Sequence, residues 1–354
     1  MTIYNLERLN IMLVEDNSFV RNCMEDLLRH FGCKRITSFE NGQASIEFLR
    51  GMTPGTGGFD IIISDLVMAP INGLLLLRWV RSAKESPDRF TPFIMLSGAA
   101  DKEYVHASRD LGVTEFLAKP FSAESVYKRL LEVIDHPRQT VTTHSYLGPD
   151  RRRQDFDPPN NEDRRQKKEE DVVIVYSADK VVKPKEATDV WYFRLPNKLK
   201  DKVGGLGMTG GGAIPMDLLE QAEEQLERAQ LDFTDWALNY LADLSNLCAE
   251  ALITEGRRSH IFEKINLLGH ELRGQGGTFG YPLVSLFGKS LFDITGEGCR
   301  EDDKAVEIVK AHIDSMRAVL RDKIGGDGGD VGRALMAGLK ESIKKNAMSD
   351  PNQS

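Results

Sequence analysis

Cysteine is scarce in this chain and falls without pattern: Cys23, Cys33, Cys248 and Cys299 are the four in 354 residues, with no Cys-x-x-Cys pair and no Cys/His spacing. That argues against a disulfide framework and a structural zinc, and makes buried thiols the expectation. Long apolar runs are missing too. No stretch approaches the ~20 apolar residues that a membrane helix needs, and the opening MTIYNLERLN lacks a basic start followed by an apolar region. A cytoplasmic location with no membrane partner is therefore expected. Positive charge is in deficit, with a formal net charge of -8, which speaks against a chain-wide nucleic-acid surface. A compact helix-turn-helix pattern is lacking, as are a GxxxxGK[ST] loop and a paired glycine-rich nucleotide lid, so neither a DNA-binding output nor an ATP-dependent kinase is expected. No repeat of fixed period is found.

What is present suits a folded protein of two or so domains, with 41% hydrophobic and 28% charged residues. From Asn10, apolar strand-like runs alternate with amphipathic helical ones: NIMLVED, SFVRNCMEDLLRHFG, KRITSFE, GQASIEFLRG, FDIIISD, LLLLRWVRSAKE, TPFIMLSG, DKEYVHASRDLG, EFLAKPF and SAESVYKRLLEVIDH. Five strand–helix pairs over residues 9–136 predict an α/β doubly wound domain with a five-stranded parallel sheet.

Composition shifts over residues 137–215, with Pro137, Pro149, Pro158 and Pro159, basic clusters at 151–153 and 164–168, and a glycine-rich GGLGMTGGGA. This reads as a long, largely flexible linker in which VVIVY and VWYFRL have the composition of short strands. The basic clusters read as solvated runs, and YLGPDRRR looks motif-like without an evident ligand. From Met216 the apolar positions take helical spacing in four segments, to about 247 and then over 259–279, 282–295 and 302–324. Residues 216–324 are accordingly expected to form an all-α domain like a four-helix bundle. The remainder, 325–354, reads as a flexible tail with one short helix.

Every strand of a doubly wound parallel sheet points its carboxyl end to the same edge, where ligands bind. Glu15 and Asp16 end the first strand, Asp65 the third, Ser97 the fourth and Lys119 the fifth. Three carboxylates gathered there repel one another, and hard oxygen donors suit Mg²⁺. With an ammonium and a hydroxyl added, the group can neutralise a phosphoryl group, and a carboxylate can accept it. A haloacid-dehalogenase-like phosphatase fits poorly, because Val67 stands where a second, acid-acting aspartate belongs.

The pieces VEDNSFVR, ISDLVMAPING, MLSGAA and TEFLAKPF, in this order on these elements, resemble the response regulator receiver domain of two-component signalling. The resemblance implies that Asp65 is the phosphoacceptor and that Glu15, Asp16 and Asp65 hold Mg²⁺ with the Val67 carbonyl. It further implies that Lys119 pairs with the phosphate, that Ser97 and Phe116 form the switch, and that Lys119-Pro120 is a cis bond. The sequence departs from the pattern at Ala69, inserted between the usual adjacent Met-Pro pair.

A second constellation is LLGHELRGQGGTFG. Glycine in a helix interior costs about 1 kcal/mol relative to alanine, so Gly274, Gly276, Gly277 and Gly280 need a reason. If the helix continues, Gly274 and Gly277 lie beyond His270 on its face and leave the imidazole open to a docking protein, with Arg273 placed to meet a phosphate. This stretch resembles the histidine phosphotransfer domain in His270, Leu272, Arg273, Gly274 and Gly280, with arginine where lysine is usual. The alternative is a helix end with an ordinary surface histidine.

The expectation is thus a response regulator, not an enzyme beyond self-phosphorylation and dephosphorylation of Asp65. Its partners would be a sensor histidine kinase or phosphotransfer protein and a downstream signalling protein. The helical output would relay phosphate through His270 or, alternatively, serve as a non-catalytic interaction or dimerisation module.

Overall fold

A computed structural model describes residues 2–52, 58–98, 102–150, 173–176, 184 and 189–347. The chain divides into two compact units, Met1–Glu224 and Gln225–Ser354.

In the first unit, strands β1 (Asn10–Val14), β2 (Arg35–Phe39), β3 (Ile61–Asp65), β4 (Phe93–Ser97) and β5 (Glu115–Ala118) form a parallel sheet in the order β2-β1-β3-β4-β5. Strands β3 and β4 are buried at every position, which is why IIISD and FIMLS read as continuous apolar runs without alternation. The connecting helices are α1 (Ser18–His30), α2 (Gly42–Arg50), α3 (Gly73–Ser82), α4 (Lys102–Asp110) and α5 (Ala123–Asp135). Asn17, Asn41, Asn72 and Ser122 each cap a helix by accepting a backbone N–H, so four of the five helix starts are set by one local signal. Strand order reverses between β1 and β3, which opens a crevice at their carboxyl ends.

The stretch after α5, expected as a flexible connection, carries a second sheet. Strands β6 (Thr140–Thr142), β7 (Leu147–Pro149), β8 (Val173–Val175) and β9 (Trp191–Phe193) take the order β7-β6-β9-β8, with β8 parallel to β9 and the other pairs antiparallel. The two apolar patches noted in the sequence are β8 and β9; β6 and β7 are three residues each, too short to show a period. YLGPD gains a structural account here. Gly148 lies so close to the Gly112 backbone that a Cβ would sit 2.6 Å from its Cα, and the Tyr146 hydroxyl donates to the Pro149 carbonyl at 2.6 Å. Buried Arg81 donates to the carbonyls of Gly112 (3.0 Å), Arg89 (2.7 Å) and Thr91 (2.8 Å), which ties α3 to the turns that lead into β4 and β5. Helix α6 (Lys198–Gly204) then packs against α5, with Asn197 donating to the Ile134 carbonyl at 2.7 Å and Lys200 paired with Asp135 at 3.3 Å. Tyr4 and the Gly212 N–H converge on the same Asp135 carboxylate. The basic clusters at 151–153 and 164–168 lie outside the described residues.

The second unit is helical. Helix α7 (Met216–Ile253) starts in the first unit and runs into the second, followed by α8 (Ser259–Gly276), α9 (Pro282–Ile294), α10 (Asp303–Arg321) and α11 (Gly329–Ala347). The last is nineteen residues long, more than the short helix expected of the tail. Helix α9 packs against α8 and α10, and α10 against α11. The α8–α9 approach is close because it is lined by glycine. A Cβ on Gly288 would lie 2.6 Å from the Arg273 nitrogen, and one on Gly276 would lie 2.7 Å from the Tyr281 carbonyl oxygen. Phe233 stacks on Phe279 with ring centroids 4.9 Å apart and on Trp236 at 5.6 Å. Buried His312 of α10 reaches the Ser290 hydroxyl of α9 at 2.9 Å. All four cysteines are free thiols, and no helix among the described residues is long and apolar enough to cross a membrane.

Candidate functional site

The crevice at the carboxyl edge of the sheet gathers the acidic residues. β1 ends at Val14, delivering Glu15 and Asp16, and β3 delivers Asp65; carboxylate oxygens of all three lie within 4.8 Å of one another. The β1–α1 loop is fixed from both sides: the Glu15 N–H donates to the Phe39 carbonyl at 3.1 Å, and the Arg21 guanidinium donates to the Glu15 and Asp16 carbonyls. Arg21 went unnoticed in the sequence; its signal is an arginine five residues beyond Asp16, in the second turn of α1.

Lys119 follows β5, and its N–H donates to the Ser97 carbonyl at 2.7 Å, so the ends of β4 and β5 are joined beside the site. Its ammonium lies 2.9 Å from Asp65 and 2.9 Å from Glu15. Glu15, Asp65, Ser97 and Lys119 are all buried. Burial and the neighbouring Asp65 push the Glu15 carboxyl up to about 8, against the pull of Lys119. Burial works against the charge of Lys119, but Asp65 and Glu15 outweigh it and raise its pKa. At neutral pH Glu15 therefore holds its proton, and the Lys119 ammonium stays charged between the two side chains. Such a cluster has an excess of hard oxygen ligands, and a divalent cation displacing that proton fits its chemistry.

Val67 is partly buried just past β3, and Phe116 is half-buried on β5 at the margin of the core around Met95. The extra residue Ala69 is exposed, with Pro70, in a cis Ala69-Pro70 peptide, while Met68 stays buried. Lys119-Pro120 is also cis. Gly73 is the residue that lets the loop return, because any side chain there would collide with the Asp65 carbonyl.

In the second unit, His270 lies on α8 half-buried against Phe292, with ring centroids 5.4 Å apart. The Arg273 guanidinium stands over the same Phe292 ring at 5.7 Å. Burial first, then Arg273, lower the His270 pKa against the opposing effect of Glu271. The glycines beyond it divide by role. Gly276 serves helix packing and Gly280 has positive φ (84°), whereas a Cβ on Gly274, exposed one turn beyond His270, would meet nothing within 4 Å.

A five-stranded parallel α/β domain with three carboxylates and a buried lysine at its carboxyl edge has the groups to take up a phosphoryl group beside a divalent cation. Residues 11–131 match the family model described as the response regulator receiver domain. The chain is 25% identical over 129 residues to chemotaxis protein CheY-3 of Vibrio cholerae serotype O1, covering 36% of this chain and 94% of that one. It is 24% identical over 127 residues to chemotaxis protein CheY of Pseudomonas aeruginosa, covering 36% and 97%. Among solved structures it is similar to the receiver domain of sensor histidine kinase PA1611 from Pseudomonas aeruginosa PAO1, with a magnesium ion coordinated in that protein's active-site cleft (26% identity, TM-score 0.30, 35% of this chain and 94% of that one). The N-terminal domain is thus a response regulator receiver domain of two-component phosphorelay signalling, related to CheY.

Proposed function

We propose that the protein is a response regulator whose phosphoacceptor is Asp65. The observation that carries this is the buried Lys119 ammonium 2.9 Å from both Asp65 and Glu15, a cation placed where an incoming phosphoryl group would put its charge. An Asp65 carboxylate oxygen attacks the phosphorus of the donor, an acyl phosphate forms, and the donor's leaving group departs with its electron pair. Glu15, Asp16 and Asp65 with the Val67 carbonyl would hold a Mg²⁺, which when bound supplies neutralisation of the phosphoryl oxygens. Lys119 follows the phosphoryl group, and Ser97 and Phe116 form the switch that rearranges β4 and β5. Chemistry is limited to gaining and losing this phosphoryl group, so the protein is a signalling protein rather than an enzyme acting on a separate substrate. A sensor histidine kinase or phosphotransfer protein would be the donor in the cytoplasm, and a downstream signalling protein would receive the output.

The helical region we read as a four-helix-bundle-like phosphotransfer module of α7–α10, with His270 as a second phosphoryl carrier. Its lowered pKa keeps a nucleophilic imidazole nitrogen available at neutral pH, the open space at Gly274 admits a partner, and Arg273 lies near enough to meet a phosphate. The second reading, a non-catalytic interaction or dimerisation module, is favoured by the packing role of Gly276 and by the burial of His270 against Phe292. Full-length protein incubated with a phosphorylated donor protein separates the two: relay yields an acid-labile, base-stable phosphohistidine that His270→Gln removes. A binding module yields none, and His270→Gln leaves partner binding intact.

A further inference from the structure

The response of a receiver has to leave the site through some surface, and here one such surface is occupied by the chain itself. Lys119 grips Asp65 and Glu15 and is followed by Pro120, Phe121 and Ser122, after which α5 begins at Ala123. Ser122 caps this helix through a reciprocal pair with Ser125, yet the N–H of buried Ala123 lies outside that pair. The first N–H groups of a helix have no partner within it. At Ala123 the partner is the Glu223 carboxylate of α7, which accepts at 2.8 Å. A carboxylate at this position is favoured by the helix dipole as well as by the bond. The neighbouring Ala222 is fully buried and Glu223 half-buried, so the start of α7 is packed rather than merely near. From there α7 is a continuous helix of 38 residues to Ile253, well beyond the end of the first unit at Glu224.

We infer that the N-terminus of α5 is a docking surface whose partner is the start of α7, with Glu223 as the contact that reports the state of Asp65 to the helical region. This rests on Asp65 being the phosphoacceptor. In the unphosphorylated protein Lys119 is shared by two carboxylates and α5 begins where Glu223 can cap it. A phosphoryl group on Asp65 draws Lys119 away from Glu15, and Ala123 is only four residues further along the chain. The shift displaces the Ala123 N–H from Glu223 and loosens the first turns of α7. A neutral side chain at position 223 keeps the shape but loses the charge that the helix start favours.

Hydrogen exchange of full-length protein, with Mg²⁺ and with or without acetyl phosphate, reads this directly when intact mass shows whether Asp65 is modified. Phosphorylation is expected to speed exchange in residues 216–224 and at the start of α5 by roughly tenfold, the factor that loss of one charge-assisted hydrogen bond represents. Glu223→Gln should exchange fast there without the donor and gain little on phosphorylation, while Glu220→Gln, at an exposed position of the same helix, should behave like the unaltered protein. An adduct on Asp65 with unchanged exchange in residues 216–224 overturns the coupling and leaves the phosphoacceptor reading standing. Equal effects of the two substitutions also overturn it. Absence of any adduct overturns the phosphoacceptor reading and the coupling with it.

Discussion

Lys119 is the most constrained side chain of the site, a buried ammonium shared by Asp65 and Glu15. Removing one member of a buried ionic group strands the others, at a cost of about 3–5 kcal/mol. Lys119→Ala should lower the stability of the metal-free protein by that amount in urea unfolding, and millimolar Mg²⁺ should restore part of it. A Lys119→Ala protein as stable as its parent would show that the carboxylates are solvated instead. Glu15 sets a pH dependence. Its carboxyl is raised from 4.5 to about 8, so the folded metal-free protein binds this proton more tightly than the unfolded chain. Stability from this group is therefore full below about 4.5 and is lost as pH rises toward 8. A cation has to displace the same proton, so Mg²⁺ affinity measured by calorimetry should fall up to about tenfold per unit as pH drops below 8. A flat profile between pH 6 and 8 would contradict the protonated state.

At the scale of elements, most of the first domain was legible in the sequence because buried parallel strands and asparagine-capped amphipathic helices both leave strong local patterns. The gathering of Glu15, Asp16, Asp65 and Lys119 was legible for the same reason: they stand at strand ends, and topology brings those ends together. The second sheet was only half visible, since β6 and β7 are held by Gly148 against Gly112 rather than by any period of their own. Arg21 and Glu223 escaped because each acts on backbone groups, which leave no side-chain pattern in the sequence: Arg21 on the Glu15 and Asp16 carbonyls, Glu223 on the distant Ala123 N–H. The glycines around His270 form a single signal in the sequence, and the packing separates them. Gly288→Ala forces a methyl against the α8 backbone and should cost about 1–3 kcal/mol, whereas Gly274→Ala fills open space in a helix and should stabilise by up to about 1 kcal/mol. Thermal unfolding of the two variants distinguishes them, and equal effects would refute the assigned α8–α9 packing.

At the scale of the whole molecule, 36% of the chain aligns with CheY relatives, and that portion consists of little more than the receiver. What this protein adds is a four-stranded sheet and α6 fastened to the receiver, then a helix that begins on the receiver and continues into a separate helical unit. A receiver that acts alone must meet its target by diffusion, whereas one joined to its output works at a high effective concentration. The whole scheme depends on Asp65 taking up a phosphoryl group. The most direct test is incubation of the full-length protein with Mg²⁺ and acetyl phosphate, followed by intact-mass analysis before and after base treatment. The expected result is one base-labile phosphoryl adduct, present in His270→Gln and lost in Asp65→Asn; an adduct of equal yield in Asp65→Asn would contradict it.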